Sequence, residues 1–212
     1  MIRYFLFFIA LAAMPWKVYP GNTDNWNFKV YLDDKPVGFH NFTVVDGDSN
    51  EKKLKSVAQF DVDVFIFNAY SYQHESNERW QGDCLTEINA STNDNGEKLS
   101  VQGKTTQSNF DLVKPKGQSG LPSCVMTFAY WNPNMLTQKR LLNPQNGEYV
   151  DVEIKPIGQE TVKVNGKSQP ASHYRLKSDK FLIDLWYSPD NRWLALDSTL
   201  ENGRILHYRM ER

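Results

Sequence analysis

Phe181-Leu182-Ile183-Asp184-Leu185-Trp186-Tyr187, Trp193-Leu194-Ala195-Leu196-Asp197-Ser198-Thr199-Leu200 and Arg204-Ile205-Leu206-His207-Tyr208-Arg209-Met210 are three apolar-rich runs, separated by Ser188 to Arg192 and by Glu201-Asn202-Gly203. Each has the length of a strand and is bounded by turn residues, and Asn-Gly is a strong hairpin signal. With Ala171 to Lys177 before them, they read as four consecutive antiparallel strands. A Ser178-Asp179 turn pairs His173 with Asp184 and Tyr174 with Ile183, the loop from Ser188 to Arg192 pairs Asp184 with Leu196, and the Asn202-Gly203 turn pairs Asp197 with Tyr208 and Ser198 with His207. In that register one face carries Tyr174, Leu176, Phe181, Ile183, Leu185, Ala195, Thr199, Leu206, Tyr208 and Met210, interrupted by Asp197. The other mixes Leu182, Trp186, Leu194, Leu196, Leu200 and Ile205 with His173, Arg175, Asp184, Ser198, His207 and Arg209. Strands apolar on both sides require either two covered faces or a concave face meant for a ligand.

Working outward, the period of two continues over Asn27 to Leu32, Val37 to Val45, Lys53 to Phe67, Tyr70 to Trp80, Leu85 to Thr92, Lys98 to Thr106 and Asn109 to Val113, then over Tyr149 to Ile157 and Glu160 to Val164. Asp46-Gly47-Asp48, Asn93-Asp94-Asn95-Gly96, Asn146-Gly147 and Asn165-Gly166 punctuate them with turn chemistry. The pattern predicts an all-β domain, an antiparallel sheet curved into an open or partly closed barrel, a half-barrel. Lys114 to Asn143 stands apart. Lys114 to Pro122 reads as loop by composition. Asn132 before Pro133 then fits an N-cap and first helical position, so Met135, Leu136, Lys139 and Arg140 predict a short amphipathic helix over 132–140 that closes one end of the barrel.

A chain of 212 residues buries roughly 70% of its unfolded surface, so its core needs no metal or cysteine framework. The balance of 24 Lys+Arg against 25 Asp+Glu gives no electrostatic footprint for nucleic acid and no polybasic membrane patch. Met1-Ile2-Arg3 and the uncharged apolar run from Tyr4 to Met14 precede an A-x-A cleavage signal, Ala10-Leu11-Ala12. The run is too short to cross a bilayer and is followed by Pro15 and Pro20, so residues 1–20 read as a signal peptide cut after Ala12 or slightly later. The mature 21–212 segment is expected to be a single β-rich domain, monomeric, periplasmic or secreted, and not membrane-spanning. It carries no cysteine near the cleavage region for a lipid anchor. In an exported chain Cys84 and Cys124 are the one possible intramolecular pair, and the alternative is two buried free thiols.

Familiar catalytic motifs are missing. His40, His74, His173 and His207 are scattered without a metal-ligand spacing, and there is no G-x-S-x-G, P-loop or G-x-G-x-x-G pattern. No cofactor or metal is expected. Asp61 and Asp63 share one face of a strand that also holds Lys53 and Lys55, which reads as a solvated edge. Asp184, flanked by His173 and Arg209, fits a structural ion-pair cluster or, in an enzyme, an acid–base pair with His173. Asp197 beside Tyr208 reads as a buried carboxylate satisfied by a phenol.

Tyr130-Trp131-Asn132-Pro133, Leu141-Leu142-Asn143, Gly147, Leu185-Trp186-Tyr187 and Trp193, with Trp80-Gln81-Gly82 and Asn95-Gly96, form a motif set over nearly the whole mature chain. In this set the sequence resembles a group of uncharacterised exported bacterial proteins classed as a domain of unknown function. The resemblance implies an envelope-located β-rich fold similar to the open half-barrels of lipoprotein carriers, and it implies no catalytic residue. The expected function is non-catalytic: a carrier, chaperone or envelope assembly factor holding a lipid or other amphipathic ligand, or an envelope protein, against Trp131, Leu182, Trp186, Leu194, Leu196, His173 and Asp184. The alternatives are an envelope enzyme using His173 and Asp184, and a glycan-binding sandwich using the tryptophans.

Overall fold

The computed structural model describes residues 21–64 and 67–210, with side chains left undescribed over 63–69. The proposed signal segment lies outside the described residues. Alternating burial runs along the strands between residues 23 and 114 and along 167–177, as a sheet covered on one side requires. β1 (Thr23–Leu32), β2 (Lys35–Asp46), β3 (Glu51–Val64), β4 (Phe67–Gln81), β5 (Cys84–Asp94), β6 (Glu97–Thr105), β7 (Asn109–Lys114) and β8 (Gly117–Pro122) form an antiparallel meander. A crossover containing β9 (Arg140–Leu142) and β10 (Tyr149–Asp151) leads to β11 (Glu153–Val164), and β12 (Lys167–Lys177), β13 (Leu182–Tyr187), β14 (Trp193–Thr199) and β15 (Ile205–Met210) return to the start. β15 pairs with β1, which gives one 13-stranded sheet in the order β11-β12-β13-β14-β15-β1-β2-β3-β4-β5-β6-β7-β8. β8 and β11 are its free edges, so the barrel is open.

The crossover carries the chain from one edge to the other across the inner face, where it acts as a plug. Val125, Met126, Ala129, Met135, Leu141 and Leu142 share a core with Phe28, Trp80, Leu85, Leu185 and Trp193 of the sheet. One backbone bond and a covalent one anchor its beginning to β5, Leu85 N donating to Val125 O (2.9 Å) and Cys84 forming a disulfide with Cys124, while Leu142 N donating to Met126 O (2.9 Å) ties the plug to itself.

Four local readings differ from the structure. The segment expected to be a helix over 132–140 is a 3₁₀ turn, Pro133–Thr137, because Arg140–Leu142 must be extended to pair with Tyr149–Asp151. Asn132 does cap it, accepting from Asn134 N. Lys114 to Pro122 is not a loop: Pro115-Lys116 turns the chain, Gly117 takes φ 112°, and Gly117–Pro122 is the exposed, polar edge strand. Asp61 lies on β3, an interior strand between β2 and β4, so the edge reading fails. The last four strands pair one or two residues out of the expected register, with His173 opposite Trp186, Asp184 opposite Asp197 and Asp197 opposite His207. The two-residue shift preserves faces, but the one-residue shift between β13 and β14 reverses the side chains of β14 from Ala195 onward, while Trp193 and Leu194 keep the faces expected of them. Its cause is a β-bulge: Trp186 faces Ala195 and Tyr187 faces Trp193, leaving Leu194 as the extra residue.

Candidate functional site

The reversed strand decides what faces inward. Leu196 and Ser198 line the concave side with Ile183, Leu206 and Tyr208, while Leu194, Ala195 and Trp186 pack on the outer side under Val162 and Val164 of β11. The β11–β12 hairpin folds over this outer patch, and its turn is tied down by Asn165 N donating to Met210 O (2.8 Å). Both faces of β13 and β14 are therefore covered, the inner one by the plug and the outer one by the hairpin.

Between sheet and plug lies a cavity of about 610 Å³, within the roughly 300–1,000 Å³ of small-molecule sites. Its walls are Phe42, Leu54 and Phe60 on one side, Ile183, Leu196 and Leu206 on the other, and Phe128, Tyr130 and Trp131 of the plug above. Exposed Lys180, Glu201 and Asn202, with Gln145 of the plug, mark where it meets solvent.

β4 supplies a polar stripe to this apolar space. Its inward residues are Tyr70, Tyr72, His74, Ser76, Glu78 and Trp80, running from the rim to the closed end, and the first five line the cavity. At the rim Tyr70 Oη donates to Asp94 Oδ1 (2.7 Å). Deeper, His74 Nδ1 meets Thr92 Oγ1 (2.9 Å), and across the sheet His40 Nε2 meets Ser56 Oγ (2.8 Å). Burial holds both histidines neutral: it lowers His40 well below the ordinary range and His74 to about 4. Glu78 is buried at the closed end, and desolvation pushes its carboxyl up to about 7 against three neutral donors that favour the ion. Those donors are Ser76 Oγ (3.1 Å), Trp80 Nε1 (3.0 Å) and Thr127 Oγ1 of the plug (3.3 Å). Two buried polar atoms of the lining residues, His40 Nδ1 and Trp131 Nε1, have no hydrogen-bond partner.

Of the residues singled out by the sequence, Trp131 and Leu196 line the cavity. Leu182, His173, Asp184, Trp186 and Leu194 do not: all five belong to the outer face. Leu182 is half-buried at the start of β13, opposite Lys177 and Thr199. His173 stacks on Trp186 (4.7 Å between centroids) and is held between Glu160 Oε1 at Nδ1 and Asp184 Oδ1 at Nε2, both at 2.8 Å. Arg175 grips Asp184 with two bonds (2.8 and 3.1 Å), and Trp186 Nε1 donates to Glu160 (2.9 Å). Burial opposes ionisation of Asp184, yet the bonds from Arg175 and His173 hold its carboxyl below the ordinary range. With both ring nitrogens of His173 engaged, the cluster ties the β11–β12 hairpin to β13 and presents no open position for acid–base exchange. Asp197, expected on the core face beside Tyr208, instead pairs on the outer face with His207 (2.9 Å) and Arg209 (2.6 Å). Trp26, Trp80, Trp131, Trp186 and Trp193 are all buried, so none offers a flat ring at the surface.

Among the described residues no cluster of three or more His, Cys, Asp or Glu could hold a metal, and no helix is long and apolar enough to cross a membrane. A family model described as "Domain of unknown function (DUF6134)" matches residues 28–211. No curated protein matches the sequence. Among solved structures, a β-barrel-like protein of the domain of unknown function DUF1849 from Brucella abortus superposes with a TM-score of 0.66, at 8% sequence identity, over 92% of this chain and 98% of that one. At that identity the likeness concerns the fold.

Proposed function

For a chain that belongs to the DUF6134 family of domains of unknown function, we propose a non-catalytic role as an exported envelope protein that carries an apolar or amphipathic ligand inside its half-barrel. The observation that carries the reading is the cavity of about 610 Å³ between sheet and plug, walled by aromatic and aliphatic side chains and open at a polar rim. Small-molecule sites have this make-up: a mostly apolar wall with a few placed polar groups. Export rests on the apolar run from Tyr4 to Met14 with its Ala10-Leu11-Ala12 signal. The Cys84–Cys124 disulfide supports it, since such bonds persist in oxidising compartments.

The test is binding of N-phenylnaphthylamine, whose emission rises in apolar surroundings. The protein is expected to bind it saturably. Ser198→Trp, which fills the cavity from β14, should weaken binding about tenfold or more, roughly 1.4 kcal/mol. Asp184→Asn, on the outer face, should leave it unchanged. Equal binding by wild type and Ser198→Trp, with both folded, would overturn the proposal.

A further inference from the structure

Building on the proposed carrier role, we infer that the ligand buries an uncharged hydroxyl or amide group against the polar stripe of β4, so that the cavity selects uncharged amphipathic molecules over anionic ones. Space for such a group exists at mid-cavity. Ser56 and Ser76 face each other across β3 and β4, which lowers the sheet surface between the stacked Phe60–Tyr72 pair toward the rim and Trp80 at the closed end. The polar atoms around that low point are His40 and Ser56 on one side and Glu78 and Thr127 on the other.

The charge arrangement sets the selectivity. Among the described residues lining the cavity, the basic ones are Lys180 and Arg204, and each already holds a carboxylate, Glu148 for Lys180 (2.8 Å) and Asp33 for Arg204 (2.8 Å). No cation faces Glu78, whose bonds come from a serine, a tryptophan and a threonine. Burial keeps His40 and His74 neutral, so neither offers a positive charge. A ligand carboxylate or phosphate drawn inside would meet a carboxyl group in a low-dielectric space with no counter-charge, where an uncompensated ion is costly. A hydroxyl or amide both donates and accepts. It can bond to the Ser56, Ser76 and Thr127 hydroxyls that line this low point without bringing a charge beside Glu78.

The experiment displaces bound N-phenylnaphthylamine at pH 8 with dodecanol and with dodecanoate, matched in chain length, each below its aggregation limit. Dodecanol is expected to displace the fluorophore at about tenfold lower concentration than dodecanoate, a difference of roughly 1.4 kcal/mol. In Glu78→Gln that ratio should shrink to about twofold, because the neutral isostere removes the repulsion and keeps the hydrogen bonds. If dodecanoate competes as well as dodecanol in the wild-type protein, the inference is overturned while the carrier role stands, and this arm needs no variant. A ratio unchanged by Glu78→Gln overturns the assignment to β4. Failure of the wild-type protein to bind the fluorophore at all overturns the carrier role and the inference with it.

Discussion

Replacing Glu78 by glutamine should change how the protein's stability depends on pH, and the size of the change follows from the site. The buried Glu78 carboxyl is raised from 4.5 to about 7 by desolvation. The folded protein therefore holds this proton more tightly than the unfolded chain does. The stability that the proton contributes is fully present below pH 4.5 and is lost as pH rises through about 7. At roughly 1.4 kcal/mol per tenfold change in proton affinity, the interval corresponds to about 3 kcal/mol, most of which falls between pH 5 and 8.5. The amide of the Glu78→Gln variant does not titrate, yet it can still accept from Trp80 and Thr127 and donate to Ser76, so the local geometry survives. Urea unfolding followed by tryptophan fluorescence, run on both proteins at pH 5 and pH 8.5, measures the difference. Glu78→Gln should gain about 2–3 kcal/mol on the wild type between the two pH values, with m unchanged. Stabilities that run parallel with pH, within the error of the extrapolation, would refute the claim that this carboxyl is buried and unpaired by any cation.

His74 carries the opposite dependence. Burial lowers it from 6.5 to about 4, so its contribution is present above pH 6.5 and is lost as pH falls through about 4. His74→Gln should flatten the acid limb by about 3 kcal/mol when the urea unfolding is carried from pH 8 down to pH 3. The disulfide closes a separation of 40 residues, which is worth about 4 kcal/mol in the chain-entropy model. Cys84→Ser with Cys124→Ser should lose that much in denaturant unfolding and weaken fluorophore binding, because the plug is anchored there. Asp184→Asn should cost about 1–3 kcal/mol by breaking the Arg175 and His173 bonds and leave fluorophore affinity within about twofold, whereas an enzyme built on this pair would lose its in-cell function.

The open antiparallel sheet was legible because the period of two and the Asn-Gly turns are local signals: the Asn95-Gly96, Asn165-Gly166 and Asn202-Gly203 turns all lie between paired strands. The site was not legible in the same way. Leu196 was expected on the face that carries Trp186 and Asp184, and a bulge that no residue type announces, with Leu194 as its extra residue, puts it on the opposite one. The hairpin that covers Trp186 comes from β11 and β12, so the apolar outer patch had a structural partner that hydropathy alone does not assign. Glu78 and His74 did leave a signal. Along β4 the residues Ser71, Gln73, Glu75, Asn77, Arg79 and Gln81 are uniformly polar, which makes the even-numbered set the core face and leaves two ionisable groups on it. That the segment around 132–140 closes the barrel was expected, but the residues it lays over these groups were not, because its contacts, such as Thr127 with Glu78 and Tyr187 Oη with Tyr130 O (2.8 Å), bridge long separations in sequence.

A half-barrel that carries a ligand should come out of the cell with that ligand inside. Native mass spectrometry of the protein purified from the producing cell, without detergent, tests it most directly. A non-covalent adduct of one apolar or amphipathic molecule per chain is expected, removed by organic extraction and missing from folded Ser198→Trp. The bare polypeptide mass in the wild-type protein, together with no saturable uptake of N-phenylnaphthylamine, would contradict it.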